Sequence, residues 1–123
     1  MHTISRDTPA LYFTCVAKDR IPVFQTDRIK LITCNALDEA RRSGGFSIYA
    51  YVIMPDHLHA ITDAVLKPSK ILQYINGTIS RRVIDHLKEH GHNSSLRKLQ
   101  RESGPHGYKY SLLGPSQQRA TDF

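Results

Sequence analysis

The chain has 123 residues, 40% of them hydrophobic and 23% charged, which suffices for one modest core and excludes both two independent domains and wholesale disorder. Lys and Arg total 17 against 11 Asp and Glu, a formal charge of +6, so a polyanion such as nucleic acid is a natural partner. With no apolar leader, no run of membrane-spanning length and no CxxC pair, the reading is a cytoplasmic domain with no membrane partner, in which Cys15 and Cys34 are reduced core thiols.

In chain order, "ALYFTCVAKD" (10–19) alternates, with Leu11, Phe13 and Cys15 on one face and Tyr12, Thr14 and Val16 on the other, and reads as a first strand. "RIPVF" returns as an edge or loop because Pro22 cannot donate to a ladder. "TDRIKLITCNALDEARRSGG" opens on Thr26 as N-cap, closes on Gly44 and Gly45, and repeats Ile29, Ile32, Ala36 and Leu37 at helical spacing. "FSIYAYVIM" is strongly strand-like, and Pro55 and Asp56 break it before "HLHAITDAV" resumes, predicting a tight hairpin. Ser69 is read as the cap of a second amphipathic helix, with Ile71, Ile75, Ile79, Val83 and Leu87 four apart and Gly91 as its stop; Gly77, Thr78 and Ile79 weaken it locally.

Strand, helix, strand, strand, helix is most of a β-α-β-β-α-β pattern. The predicted class is α+β, a ferredoxin-like antiparallel sheet with helices on one face. "GYKYSLL" (107–113) is the candidate for the last strand, reached through "HNSSLRKLQRESGPHG", which reads as a mobile loop or a poorly formed helix. The expected organisation is one domain over 1–123, with a core at about 10–91, a basic loop and last strand at 92–113, and an unpatterned tail at 114–123.

Residues two apart on a strand share a face. With Leu58, Ala60 and Thr62 toward the helices, His57 and His59 emerge together on the uncovered face, where neutral imidazoles can share one divalent cation. His-x-His alone is a short pattern with a high chance rate. His86, His90 and His92 gather at the end of the second helix, where they favour the helix dipole, and are not counted as ligands.

The stretch "YVIMPDHLHAIT" (51–62) resembles the signature of single-tyrosine HUH transposases, which include small insertion-sequence and REP-associated tyrosine transposases. There a strand ends in a Met-Pro turn, usually with Asn where Asp56 stands, and leads into His, a bulky apolar residue and His. The resemblance extends over the first strand, Val23 and Phe24, the first helix and "ILQYINGTISRRV", with an echo at "YKYSL". It implies a ferredoxin-like core and Mg or Mn held by His57, His59 and a third polar ligand. It further implies single-stranded or hairpin DNA as partner, cleaved and rejoined through a 5′-phosphotyrosine, and permits a homodimer.

The family's nucleophilic tyrosine sits on a later helix, often before an Asn-Pro step, and nothing after "YKYSLL" resembles it. The expectation is therefore a C-terminally truncated member, and the alternative function is an inactive hairpin-DNA-binding module. Tyr110 and Tyr108 are the remaining nucleophile candidates, although each also suits strand packing, and Tyr74 could stack on a base or pack on the sheet. For the DNA backbone, Lys70, Arg81, Arg82, Arg97, Lys98 and Arg101, with Lys67, are the candidates; a solvated helix face is the competing reading. A metal-dependent hydrolase or a small RNA-binding domain has only the basic charge in its favour.

Overall fold

The computed structural model describes residues 9–99, 112–113 and 117–121. Alternation in the first strand is realised in β1 (Ala10–Val16): Leu11, Phe13 and Cys15 are buried, while Tyr12, Thr14 and Val16 are half-buried. A 3₁₀ turn at Lys18–Arg20 and a loop lead to α1 (Asp27–Gly44). The Thr26 hydroxyl accepts the Ile29 N–H at 3.2 Å, satisfying one orphan donor of the first turn, and Gly45 ends the helix at φ 70°. The buried stripe is Ile29, Thr33, Ala36, Leu37 and Ala40, with Ile32 at its margin. Thr33 is tolerated there because its hydroxyl donates to the Ile29 carbonyl at 2.8 Å.

The expected hairpin forms from β2 (Ile48–Ile53) and β3 (His57–Asp63), closed by the Met54 N–H donating to the His57 carbonyl at 2.8 Å. Buried Asp63 accepts the Ser47 N–H at 3.0 Å and ties the hairpin's far end. α2 (Pro68–Glu89) starts one residue before the expected Ser69 cap. Lys67 is its N-cap and makes no side-chain capping bond; Pro68, with φ preset and no N–H to satisfy, begins the helix instead. Gly77 is exposed, and the locally weak Thr78 and Ile79 are buried, so packing overrides propensity and the helix runs unbroken.

Gly91 takes φ 67° after α2, and past His92 seven residues form α3 (Asn93–Leu99), where the sequence predicts a loop or poor helix. Leu96 and Leu99 are buried beneath it. The sheet is closed by β4 (Gln117–Thr121), which pairs antiparallel with β1 and lies inside the tail expected to carry no pattern. Of the predicted last strand, residues 107–111 lie outside the described residues; Leu112 is buried, and Leu113 makes a single antiparallel bridge to Ala17. The reason β4 escapes sequence reading is its composition: "QQRAT" offers no apolar alternation, and its pairing is a backbone property.

Strand order is β2-β3-β1-β4, every pair antiparallel, which is the ferredoxin-like arrangement expected. Both long helices pack on one sheet face, over Phe13, Leu58 and Ala60 from the strands and Ile71, Ile75, Ile79 and Val83 from α2. Each fully buried isoleucine contributes about 1.5–3 kcal/mol. Cys15 is in this core, whereas Cys34 is only half-buried and shares a hydrogen bond with Tyr51, correcting its assignment as a core thiol. No helix among the described residues is long and apolar enough to cross a membrane.

Close approach explains Gly44. A Cβ there would lie 2.7 Å from the Phe46 ring and 2.9 Å from the Tyr74 ring. Tyr74 meets Phe46 with ring centroids 6.2 Å apart, at the end of α1 rather than on a strand, and stays exposed, so the predicted packing against the sheet is replaced by this contact. Gly44→Val should lower stability by about 2–3 kcal/mol in urea denaturation, because neither ring can withdraw without leaving its neighbours.

Candidate functional site

The β1–β3 register decides what stands beside each histidine. Thr14 is opposite His59, Val16 opposite His57, and Tyr12 opposite Ile61. Since opposed residues share a face, Tyr12, Thr14, His57 and His59 lie together on the sheet face away from the helices. As predicted, Leu58, Ala60 and Thr62 are buried and both imidazoles are half-buried on the other side. Their ring centroids are 5.0 Å apart with planes at 82°.

Each Nδ1 is already engaged. His57 Nδ1 lies 2.6 Å from Asp56 Oδ1, and Asp56 Oδ2 is 3.5 Å from Arg20 Nε. Arg20 reaches it because Asp19 and Arg20 both take left-handed φ, 52° and 54°, uncommon for residues with a Cβ. His59 Nδ1 lies 2.7 Å from Tyr12 Oη and 3.1 Å from Thr14 Oγ1, and the Tyr12 ring stacks on the imidazole with centroids 5.5 Å apart. A proton on each Nδ1, donated to these oxygens, leaves Nε2 of each ring with a lone pair to offer a cation.

The electrostatics point the same way. The hydrogen bond from His57, aided by the charge of Arg20, holds the Asp56 carboxyl below its ordinary value of 3.8. Burial, then the charge of His57, pushes the His59 imidazole below 6.5. At neutral pH the His59 ring is therefore neutral, the state in which imidazole nitrogen ligates metal, and the Asp56 carboxylate beside His57 is charged.

Among the described residues, no group of three or more His, Cys, Asp or Glu is arranged to hold a metal ion. The expected third polar ligand is therefore not identified among the described residues. Sequence reasoning missed Asp56, Tyr12, Thr14 and Arg20 as site residues. In the sequence Asp56 reads as a strand breaker, and alternation puts Tyr12 and Thr14 on the correct face of β1, but only the register brings them to His59.

The remaining candidates are dispersed. Tyr108, Tyr110 and Arg101 lie outside the described residues. Arg97 and Lys98 are on α3, and Lys70 is exposed in the first turn of α2. Arg82 makes a bidentate bond to Glu39 at 2.9 and 2.7 Å, with Arg81 3.7 Å from the same carboxylate, so both are committed to joining α2 to α1. That pairing, led by the Arg82 hydrogen bond, keeps Glu39 ionised below its ordinary range.

An antiparallel β2-β3-β1-β4 sheet, covered by helices on one side and presenting oriented imidazoles on the other, defines a ferredoxin-like domain with a candidate divalent-cation site. The model of the IS200-like transposase family matches residues 10–103, and the chain belongs to that family. Its fold is similar to that of a Deinococcus radiodurans protein assigned as a transposase, at 16% identity and a TM-score of 0.65, covering 96% of this chain and 85% of that one. It is also similar to a REP-associated tyrosine transposase bound to a REP hairpin, at 17% identity and a TM-score of 0.55; 98% of this chain is covered, and it spans 62% of that protein's length. No curated protein sequence matches the chain.

Proton linkage follows from the two depressed groups. The contribution of His59 to stability is fully present above pH 6.5, its unfolded value, and is lost as pH falls through its lower folded value; that of Asp56 is present above 3.8 and lost on further acidification. In an NMR titration the His59 ring should therefore titrate below 6.5. In His57→Ala it should move part of the way back, since the neighbouring charge is gone and burial remains.

Proposed function

We propose that the chain binds single-stranded or hairpin DNA and acts in metal-assisted cleavage and rejoining of that DNA through a tyrosine-linked phosphate. The carrying observation is the imidazole pair with both Nδ1 atoms tied back to oxygens, which supports Nε2 of His57 and His59 as ligands to Mg or Mn. The donor set fits a divalent cation: two imidazoles on one sheet face, each with its Nδ1 engaged by an oxygen, and a carboxylate behind one ring, an arrangement that raises ligand basicity. When bound, the cation would supply charge that polarises a scissile phosphodiester.

The chain's own residues prepare that chemistry. Asp56 accepts the Nδ1 proton of His57 and holds the ring in orientation, and Arg20 holds Asp56. Tyr12 and Thr14 hold the His59 ring in orientation through its Nδ1. In the transfer step a tyrosine oxygen bonds to phosphorus, the P–O bond to the 3′-oxygen breaks, and the phenol proton ends on that oxygen; rejoining is the reverse. Tyr110 and Tyr108 are proposed as the candidates for that oxygen. Family membership and a structural neighbour that carries a REP hairpin support the substrate class.

The deciding experiment incubates the protein and His57→Ala with labelled hairpin-bearing single-stranded DNA and Mn²⁺, followed by SDS electrophoresis. The expected result is an SDS-stable adduct in the wild type and none in the variant, with the labelled peptide naming the tyrosine. Hairpin binding with no adduct would instead favour the binding-module function. In a separate calorimetric titration, Asp56→Asn should weaken Mn²⁺ binding about 10–100-fold with the fold intact, the scale expected when a histidine ligand loses its orienting carboxylate.

A further inference from the structure

A second group of imidazoles stands apart from the sheet. Gly91, in the left-handed region, turns the chain back over the last turn of α2, so His92 meets His86 and His90. Ring centroids are 4.2 Å apart for His86 and His90, 6.1 Å for His86 and His92, and 6.3 Å for His90 and His92. They border a groove of about 550 Å³ between the start of α1, the end of α2 and α3. Arg28 of α1 and Lys98 of α3 also line it, and its apolar floor includes Ile29, Leu87 and Leu99.

The charge balance selects the ligand. Among the described residues no carboxylate lines this groove, whereas two permanent cations do. The acids nearby, Asp85 and Glu89, line a neighbouring groove with Glu39 and Arg82, on the other side of Arg28, His86 and His90. A metal ion would face those two cations with neutral ligands alone. The α2 C-terminus carries about half a negative charge and opposes an anion, but its carbonyls are occupied: His90 Nδ1 lies 3.0 Å from the His86 carbonyl oxygen, which also accepts the His90 N–H, and the His92 N–H donates to Leu87. Two full charges outweigh that remnant.

We infer that Arg28, Lys98 and the His86–His90–His92 group form a phosphate-binding pocket that takes the backbone of the single-stranded DNA flanking the hairpin. The inference rests on the DNA-binding function proposed above. The pocket's wall includes Ile21, Pro22 and Val23, and the same loop is pinned to the histidine-bearing hairpin by the Phe24 N–H donating to the Pro55 carbonyl at 2.9 Å. A strand leaving the open sheet face therefore has a continuous route across this loop. His86 resists protonation through burial, then through the charges of His90, Arg28 and His92, against a smaller opposing pull from Glu89. A bound phosphate relieves that repulsion, so affinity should rise as pH falls toward 6.

The test measures anisotropy of a labelled hairpin with and without a single-stranded flank, in metal-free buffer at pH 6 and 8 and several salt concentrations. Arg28→Gln/Lys98→Gln should bind the flanked hairpin about tenfold more weakly and flatten the slope of log K against log salt by about 1.4, or ~0.7 per lost phosphate contact, with little change for the bare hairpin. The charge-matched control Arg41→Gln/Arg42→Gln, at the far end of α1, should change neither. His86→Gln should reduce the pH dependence, with circular dichroism checking that the fold is kept. Equal losses in the control and the pocket variants, or variants indistinguishable from wild type, would overturn the pocket. Ring-proton NMR of the three histidines with inorganic pyrophosphate separates the two ideas. Shifts at those rings with no binding of either oligonucleotide would keep an anion site and defeat the DNA function beneath it; absence of shifts together with unaltered DNA binding by the variants would defeat the pocket alone.

Discussion

The pairing of β1 with β3 is the constraint on which the rest depends. Its register places Cys15 opposite Leu58 and Phe13 opposite Ala60 on the helix side, and Thr14 opposite His59 on the other. A slip of β3 by one residue would drive the imidazoles into the core and expose Leu58 and Ala60, so burial of the apolar set enforces the geometry of the polar one. The site is in this sense a by-product of core packing: what holds Tyr12 beside His59 is chiefly the free energy of burying their neighbours.

The helices matter to function by covering one face only. Arg82 and Glu39 join α1 to α2 at the surface, in a bidentate pair of modest net value at 48% and 29% exposure. Apolar packing under them is the larger contribution. With both helices on one side, no described helix covers the opposite face of β1 and β3, where the histidines lie. The loop between β1 and α1 borders both that hairpin and the basic groove, which makes it the natural junction between the two polar regions.

Much of this was legible in local pattern. Thr26 and Gly45 bound α1 as their residue types require, and alternation in β1 and β3 correctly separated the buried from the open face. Ser69 misled because the capping preference of serine is a statistical one, while Pro68 has a stronger geometric claim to the first helical position. β4 was illegible because an edge strand of polar residues has no periodic signature. Asp56 looked like turn punctuation, since a carboxylate's partner cannot be read from its own neighbours.

By itself the sequence determined the α+β class, the two amphipathic helices, the hairpin and the shared face of His57 and His59, because each follows from periodicity within a dozen residues. Only the tertiary structure decided that Tyr12 and Thr14 meet His59, that Arg20 supports Asp56, that Arg81 and Arg82 are engaged by Glu39, and that Arg28 and Lys98 converge on the histidines after α2. Those contacts join residues far apart in the chain, and their distances are set by strand register and helix packing, which depend on the whole core at once.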